Sequence, residues 1–398
     1  MTPWIGIFRH HRVVRASAAA IFLYGLAGAA TSPYQSVIGI RELGLGDQTY
    51  AVIVVIASVT NVVLAIGIGA LSDRSRRYRL PLIVTAGFGI IGYGMVWASP
   101  SAHVFAISAI APLALFHATN SMLFGNVRAQ SARFDPEERQ IVNAAMRMAI
   151  SLAWVLVPGA VGLALAGQDS MIAAYLIAAI ASAGCLAVVI FGLERDHPAP
   201  VPATPPAGSV ARDMAQVLHP ALLLPVLGVA LISQVLHVNG TVLPLILTGQ
   251  AGGTPRDVGY VVGMVAALEV AFMFGWTWLS WRMRLTTALL AASALYLAYL
   301  AGLALATRPA HVYLASVIGG IGAAGIISLP ISYLLDLIRD RPGLSASLIA
   351  VNMFLGGAIG AGIFGLGTGL QGYASAAIIS GLAGVAGAGI LIWKERRT

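Results

Sequence analysis

Apolar residues run through this chain in long uninterrupted blocks separated by short clusters of charge. Twelve blocks reach the roughly 20 residues that a helix needs to cross a hydrocarbon core about 30 Å thick. Read between charges, they cover 16–40, 50–72, 80–98, 104–127, 140–165 and 170–193, then 221–248, 258–281, 285–307, 312–335, 344–368 and 374–393. Helices are the expected form, because lipid cannot satisfy an exposed strand edge and the blocks are too long for barrel strands.

The blocks fall into two sets of six. Between them, residues 194–220 carry Pro198, Pro200, Pro202, Pro205, Pro206 and Pro220 with Arg195, Asp196, Arg212 and Asp213, the composition of an extended aqueous linker. The expected organisation is a six-helix bundle over 1–193, a cytoplasmic linker over 194–220 and a second six-helix bundle over 221–398. Leu71-Ser72-Asp73-Arg74 closes the second block and Leu279-Ser280-Trp281-Arg282 closes the eighth, at the same place in each half. Equal span counts and a central linker add to that echo, and together they predict an all-α integral membrane protein with two pseudo-symmetric bundles.

Composition agrees with this picture. Only 10% of the 398 residues are charged and 58% are hydrophobic, whereas a soluble domain carries about 25% charge. A water-facing fold could not cover so much apolar surface. Of the 23 basic residues all but Lys394 are arginine, and 19 fall at the N-terminus and the even-numbered connections. Arg41, Arg256 and Arg308 lie on the opposite side and Arg147 lies inside a span. The bias predicts that both termini are cytoplasmic. It also accounts for the net charge of +8 without nucleic acid, since the arginines are spread over one membrane face and not gathered on a reading element.

The first block follows Arg9, Arg12 and Arg15 and contains Ala27-Gly28-Ala29, as a signal peptide could. Its length of about 25 uncharged residues exceeds a signal core, and its loss would break the charge alternation, so it is expected to stay as a helix. Cys185 is the only cysteine, which excludes an intramolecular disulfide and a cysteine-based metal site. No HExxH or GxSxG motif is present and only one acid is well centred in a span. An intramembrane enzyme is therefore not expected, nor is any cofactor or metal. A sensor would normally need a sizeable soluble domain, and the longest loop here is the proline-rich linker.

An ionisable group near the middle of a span costs about 2.5–3.5 kcal/mol on insertion scales. Glu269 stands at the centre of the eighth block, and Arg147 is seven residues inside the fifth. Arg147, Ser151, Trp154 and Pro158 follow at spacings of four, three and four, so they share a helix face; Glu269, Met273 and Trp276 do the same. Glu269 is either a structural acid held by a hydroxyl or by Arg147, or a proton-coupling carboxylate. Arg147 is either a substrate contact or gate, or a static partner. After the second block, Asp73 precedes Arg74, Arg76, Arg77 and Arg79. It could latch one conformation by pairing with a helix terminus or an arginine, while the arginines alone could be topological.

Other spans carry Tyr34, Gln35, His117, Thr119, Asn120, Gln234, His237, Asn239, Tyr333 and Asn352. In a 6+6 transporter, spans one, four, seven and ten line the cavity. Amides, hydroxyls and aromatic faces there suit a polyhydroxylated ligand; the alternative for each is a satisfied packing residue. Tyr34, Gln35, Asn120, Ser151, Trp154, His237, Asn239, Tyr333 and Asn352 are the candidate substrate contacts. The glycine runs 319–322 and 356–360 permit close helix approach, and none follows a soluble strand as a phosphate loop would.

Gly69-Ala70-Leu71-Ser72-Asp73-Arg74 with the following arginines resembles the loop signature of the major facilitator superfamily, with Arg76 where a second glycine is usual. Met146-Arg147-Met148-Ala149-Ile150-Ser151-Leu152-Ala153-Trp154-Val155 with Pro158 resembles the span-five signature of its bacterial sugar efflux transporters. The stretch from Gly263 to Val270 around Glu269 is similar to that family's intramembrane acid, and Asp336-Leu337 with Arg339 and Arg341-Pro342-Gly343 also matches. The resemblance implies a multi-pass protein of the bacterial inner membrane that exports small sugars or glycosides, driven by proton exchange. It assigns roles to Arg147, Ser151, Trp154 and Glu269. Ala149 replaces a glutamine of the family, and Val242-Leu243-Pro244 lacks its aspartate. Val157-Pro158-Gly159 and Gly162 are also similar to the span-five motif of drug antiporters, so a proton-coupled exporter of hydrophobic compounds is the rival reading.

Overall fold

The computed structural model describes residues 11–75, 77–131, 134–168, 170–193, 220–337 and 342–397. Residues 194–219 of the expected linker lie outside the described residues, as do Arg9, Arg76, Arg133, Arg195, Arg212, Arg339 and Arg341. All regular structure among the described residues is helical, and twelve spans are long and apolar enough to cross a membrane.

In chain order the spans are Arg12–Thr31, Asp47–Ser75, Arg79–Ala98, the pair Ala102–Ile110 and Pro112–Gln130, Pro136–Ala164, Ala173–Phe191, Pro220–Thr248, Pro255–Ser280, Leu285–Ala304, Pro309–Leu337, Pro342–Gln371 and Tyr373–Glu395. They are called spans one to twelve below, the pair being span four. Six helices open on proline. Proline suits the first helical position because its missing N–H would have no partner there and its φ is already helical. Reading between charges stops at the hydrocarbon edge, but a helix runs on to its cap, so span five begins at Pro136 and not at 140. Span eight starts on a reciprocal cap: Asp257 accepts from the Thr254 backbone N–H at 2.8 Å, while the Thr254 hydroxyl accepts from the Asp257 N–H at 3.4 Å.

Span four was expected as one stretch, and the structure divides it. Ala111 departs from helical geometry at φ −112° and ψ −78°, and Pro112 opens the second segment. A proline has no N–H to continue the ladder and restricts the residue before it. Span one is irregular for the same reason. Beyond Thr31 it tightens into a 3-10 turn at Ser32–Tyr34, which contains Pro33, and then widens into a π-helix over Val37–Glu42.

The helices form two compact units. One comprises Met1–Gly46 and Ile56–Pro198; the other comprises Asp47–Val55 and Ala199–Thr398. Each unit repeats the same adjacency. Span one packs on five and six, and span three on four and six; likewise seven packs on eleven and twelve, and nine on ten and twelve. The segment Asp47–Val55 joins the second unit through side chains at its start. The Tyr373 hydroxyl donates to Asp47 at 3.0 Å, Gln48 Nε2 donates to the Gly365 carbonyl, and the Tyr50 ring meets Phe364 edge-on at 6.1 Å.

With no hydrophobic drive between helices in lipid, close approach has to come from small residues. Spans seven and twelve show it best. A Cβ added at Gly387 would lie 2.5 Å from the Gly228 carbonyl oxygen and 2.8 Å from Leu231 Cβ.

At one end of the first unit, arginines satisfy the last carbonyls of span six. Arg12 Nη2 donates to Phe191 O at 2.6 Å and Arg79 Nη2 donates to Ile190 O at 2.5 Å. These carbonyls have no partner within the helix, and the negative end of its dipole favours cations.

Candidate functional site

The two units are taken separately. In the first, span five turns Met146, Ile150, Ala153 and Val157 toward the interior, and Gly25 of span one lets them close: a Cβ there would sit 3.0 Å from Ala153 Cβ. The stripe Arg147, Ser151, Trp154 borders this buried face. Arg147 is exposed, whereas Ser151 and Trp154 are half-buried.

Tyr34 is fully buried, and its hydroxyl donates to the Pro158 carbonyl at 2.8 Å, tying the distorted end of span one to span five. Gln35 beside it is half-buried. On span four, His117 is exposed with Nδ1 3.4 Å from the Tyr24 hydroxyl, and Asn120 keeps a buried Oδ1 without a partner among the described residues. Asp73 lies in the last turn of span two, and its side chain is outside the described residues.

In the second unit the polar groups draw together. Tyr296 and Tyr299, one turn apart on span nine, are both buried and within electrostatic range of the Glu269 carboxyl. Their rings meet at 5.1 Å, near edge-on. The Tyr299 hydroxyl donates to Asn239 Oδ1 on span seven at 2.7 Å. Thus Asn239 bonds a tyrosine that also lies within electrostatic range of Glu269, and the reading of polar positions passed over that tyrosine. Its signal was the pair Tyr296 and Tyr299 in a span whose other residues are mostly small and aliphatic.

Two neighbouring glycines of span ten permit this approach. A Cβ at Gly319 would come 2.9 Å from the Tyr299 ring, and one at Gly320 would come 2.7 Å from Leu268 Cβ, next to Glu269. Trp276 continues the Glu269 stripe but is buried, its indole N–H donating to Ile321 O at 2.7 Å. That end of the stripe therefore packs against span ten.

The remaining candidates divide by what their polar atoms do. Asn352 is buried and its Nδ2 donates to Ser233 Oγ at 3.0 Å, while Gln234 and Ser380 exchange bonds of 2.8 and 3.0 Å. These groups fasten span seven to spans eleven and twelve. His237 is exposed beside Gly360. Tyr333 is half-buried and within electrostatic range of Glu395, near the end of span twelve. No group of three or more His, Cys, Asp or Glu suited to a metal occurs among the described residues.

Twelve membrane-crossing helices, two units of matching adjacency and a half-buried acid within electrostatic range of two phenols define a multi-pass membrane transporter. The sequence model of the Major Facilitator Superfamily matches residues 17–361, and the chain belongs to that family. It is a transporter and not an enzyme. A relative from Deinococcus radiodurans, named provisionally as a sugar efflux transporter, is 23% identical over 390 residues, covering 95% of this chain and 97% of its own. Among solved structures, a mutant of the nucleoside transporter NupG is similar with a TM-score of 0.80 at 11% identity, covering 96% of this chain and 99% of that one. A peptide transporter POT in complex with sulfate is similar with a TM-score of 0.78 at 15% identity, over 98% and 95%. At such identities the likeness shows the fold.

Proposed function

We propose that the protein exports small sugars or glycosides from the bacterial cytoplasm in exchange for protons, by alternating access. The observation that carries this reading is Glu269, an acid inside an apolar span, within electrostatic range of Tyr296 and of Tyr299, whose hydroxyl donates to Asn239. An acid so placed binds a proton reversibly without leaving the span, and its charge reaches span seven through one phenol. Protonation of Glu269 removes a charge that Tyr299 senses and shifts the balance of conformations. In the first unit Gln35 and Asn120, with Trp154 as an apolar face, and in the second unit Asn239 and His237, are donors and acceptors of the kind a polyhydroxylated ligand needs. Arg147 and Ser151 contribute on span five, and Asp73 acts as a latch at the end of span two. The arginine bias supports an inner-membrane protein with both termini and the 194–220 linker in the cytoplasm, and the name of the Deinococcus radiodurans relative supports sugar efflux.

Proteoliposome counterflow of radiolabelled sugars, with and without an imposed pH gradient, tests the reading. Sugar exchange accelerated by the gradient is expected. Absence of exchange for every sugar tried, with drug transport intact, would sink it.

The second reading is export of hydrophobic compounds. It is favoured by how many buried polar groups the fold uses itself: Gln234 with Ser380, Asn352 with Ser233, and Tyr34 with Pro158. Competition by drug panels in everted vesicles separates the two.

A further inference from the structure

The corresponding helix ends of the two units treat their arginines in opposite ways. In the first, the start of span three meets the end of span six, and Arg79 and Arg12 are turned inward onto carbonyls. In the second, the start of span nine meets the end of span twelve, where the Thr286 hydroxyl donates to Glu395 and Arg284 Nε lies 3.9 Å from the same carboxylate. This places the end of span eight, the start of span nine and the end of span twelve at one corner. Arg282 and Arg284 lie in the connection between spans eight and nine, and Lys394, Arg396 and Arg397 at the end of span twelve, with Glu395 among them.

Two of these guanidinium groups are held in place by aromatic faces. Arg282 lies over the Trp278 ring and Arg397 over the Trp393 ring, each 4.1 Å from the centroid. A guanidinium held over a ring face keeps N–H groups available at its edge, and arginine grips a phosphate through two such bonds. Among the described residues neither guanidinium donates a hydrogen bond to the protein. The tryptophans are outward: Trp278 and Trp393 are 49% exposed and Trp281 is 79% exposed. Indole rings favour the level of the membrane where headgroup meets acyl chain.

We infer that this corner binds the phosphate of an anionic phospholipid, with Arg282 and Arg397 as the principal contacts, Arg284 and Arg396 flanking them, and the three tryptophans against the glycerol and upper acyl chain. Net positive charge at the headgroup level matches the anionic lipid, and the exposed indoles match its apolar part. A free phosphate could use only the first of these. The inference does not depend on the transported substrate.

Native mass spectrometry of the full-length protein with added phosphatidylglycerol or phosphatidylcholine tests it, with inorganic phosphate as a competitor. Phosphatidylglycerol is expected to stay bound where phosphatidylcholine does not. A cation near an anionic headgroup contributes roughly fivefold in affinity, so Arg282→Gln with Arg397→Gln is expected to weaken binding roughly 25-fold, and the pair of lysine replacements to restore only part of it, since lysine keeps the charge but not the two-bond grip. Equal binding of the two lipids, undiminished binding by the double glutamine variant, or full displacement by millimolar phosphate would overturn the inference. A second measurement needs no variant: brominated phosphatidylglycerol should quench the tryptophan fluorescence of the native protein more than brominated phosphatidylcholine. Equal quenching would also overturn it.

Discussion

The Tyr299 hydroxyl donates to Asn239 Oδ1 at 2.7 Å while the same side chain stands in the electrostatic field of Glu269. One phenol therefore touches an amide on span seven and senses an acid on span eight.

Replacing Glu269 by glutamine keeps the shape and removes the titrating group. Sugar counterflow without a gradient is expected to persist, and acceleration by a pH gradient to disappear. Undiminished gradient-driven flux in proteoliposomes would show that the coupling acid lies elsewhere.

Tyr299→Phe removes the donor and leaves the Asn239 carbonyl without that partner. Loss of a part-buried bond of this kind costs about 1 kcal/mol, and transport is expected to fall with it. A phenylalanine variant with native stability and native flux would mean that the tyrosine serves packing alone.

Tyr34→Phe is likewise expected to cost only about 1 kcal/mol, because the Pro158 carbonyl lies within a helix and keeps its ladder position. Thermal unfolding in detergent measures this, and a loss of several times that size would show that the bond between spans one and five is a keystone of the first unit.

Gly387→Ala sets a methyl group against the Gly228 carbonyl, and overpacking of this kind typically costs about 1–3 kcal/mol. Gly389→Ala, where a Cβ would meet nothing within 4 Å, serves as the control. Equal melting temperatures for the two variants would contradict the close packing of spans seven and twelve.

Gly320→Ala changes no polar atom, yet its Cβ would press on Leu268. Transport is expected to fall while the protein still folds. Native rates would show that spans eight and ten tolerate a wider separation.

Span number and fold class were legible because crossing a bilayer constrains length and composition together. Glu269 was legible because its cost in lipid makes it conspicuous, and Asn239 because it is polar in an apolar run. Tyr296 and Tyr299 were not, since tyrosine is common in membrane helices and nothing in span nine says which neighbour its hydroxyl meets. That depends on Gly319 and Gly320 of another span. Nor does any pattern within span two reveal that Asp47–Val55 clusters with the second unit, because Tyr373 and Gly365 lie some three hundred residues away. The division of span four was present in the sequence as Pro112, but hydropathy gives proline little weight beside the apolar residues around it.

Span ten gives the acid and its phenols no bond of its own at Gly319 or Gly320. What those positions supply is thinness: two side chains withheld, one toward each neighbour, set how near two other helices can stand. A screen that scores only polar residues would pass over both positions. Their tolerance to alanine, serine and larger side chains would act as a graduated ruler for the distance over which Glu269 and Tyr299 influence each other.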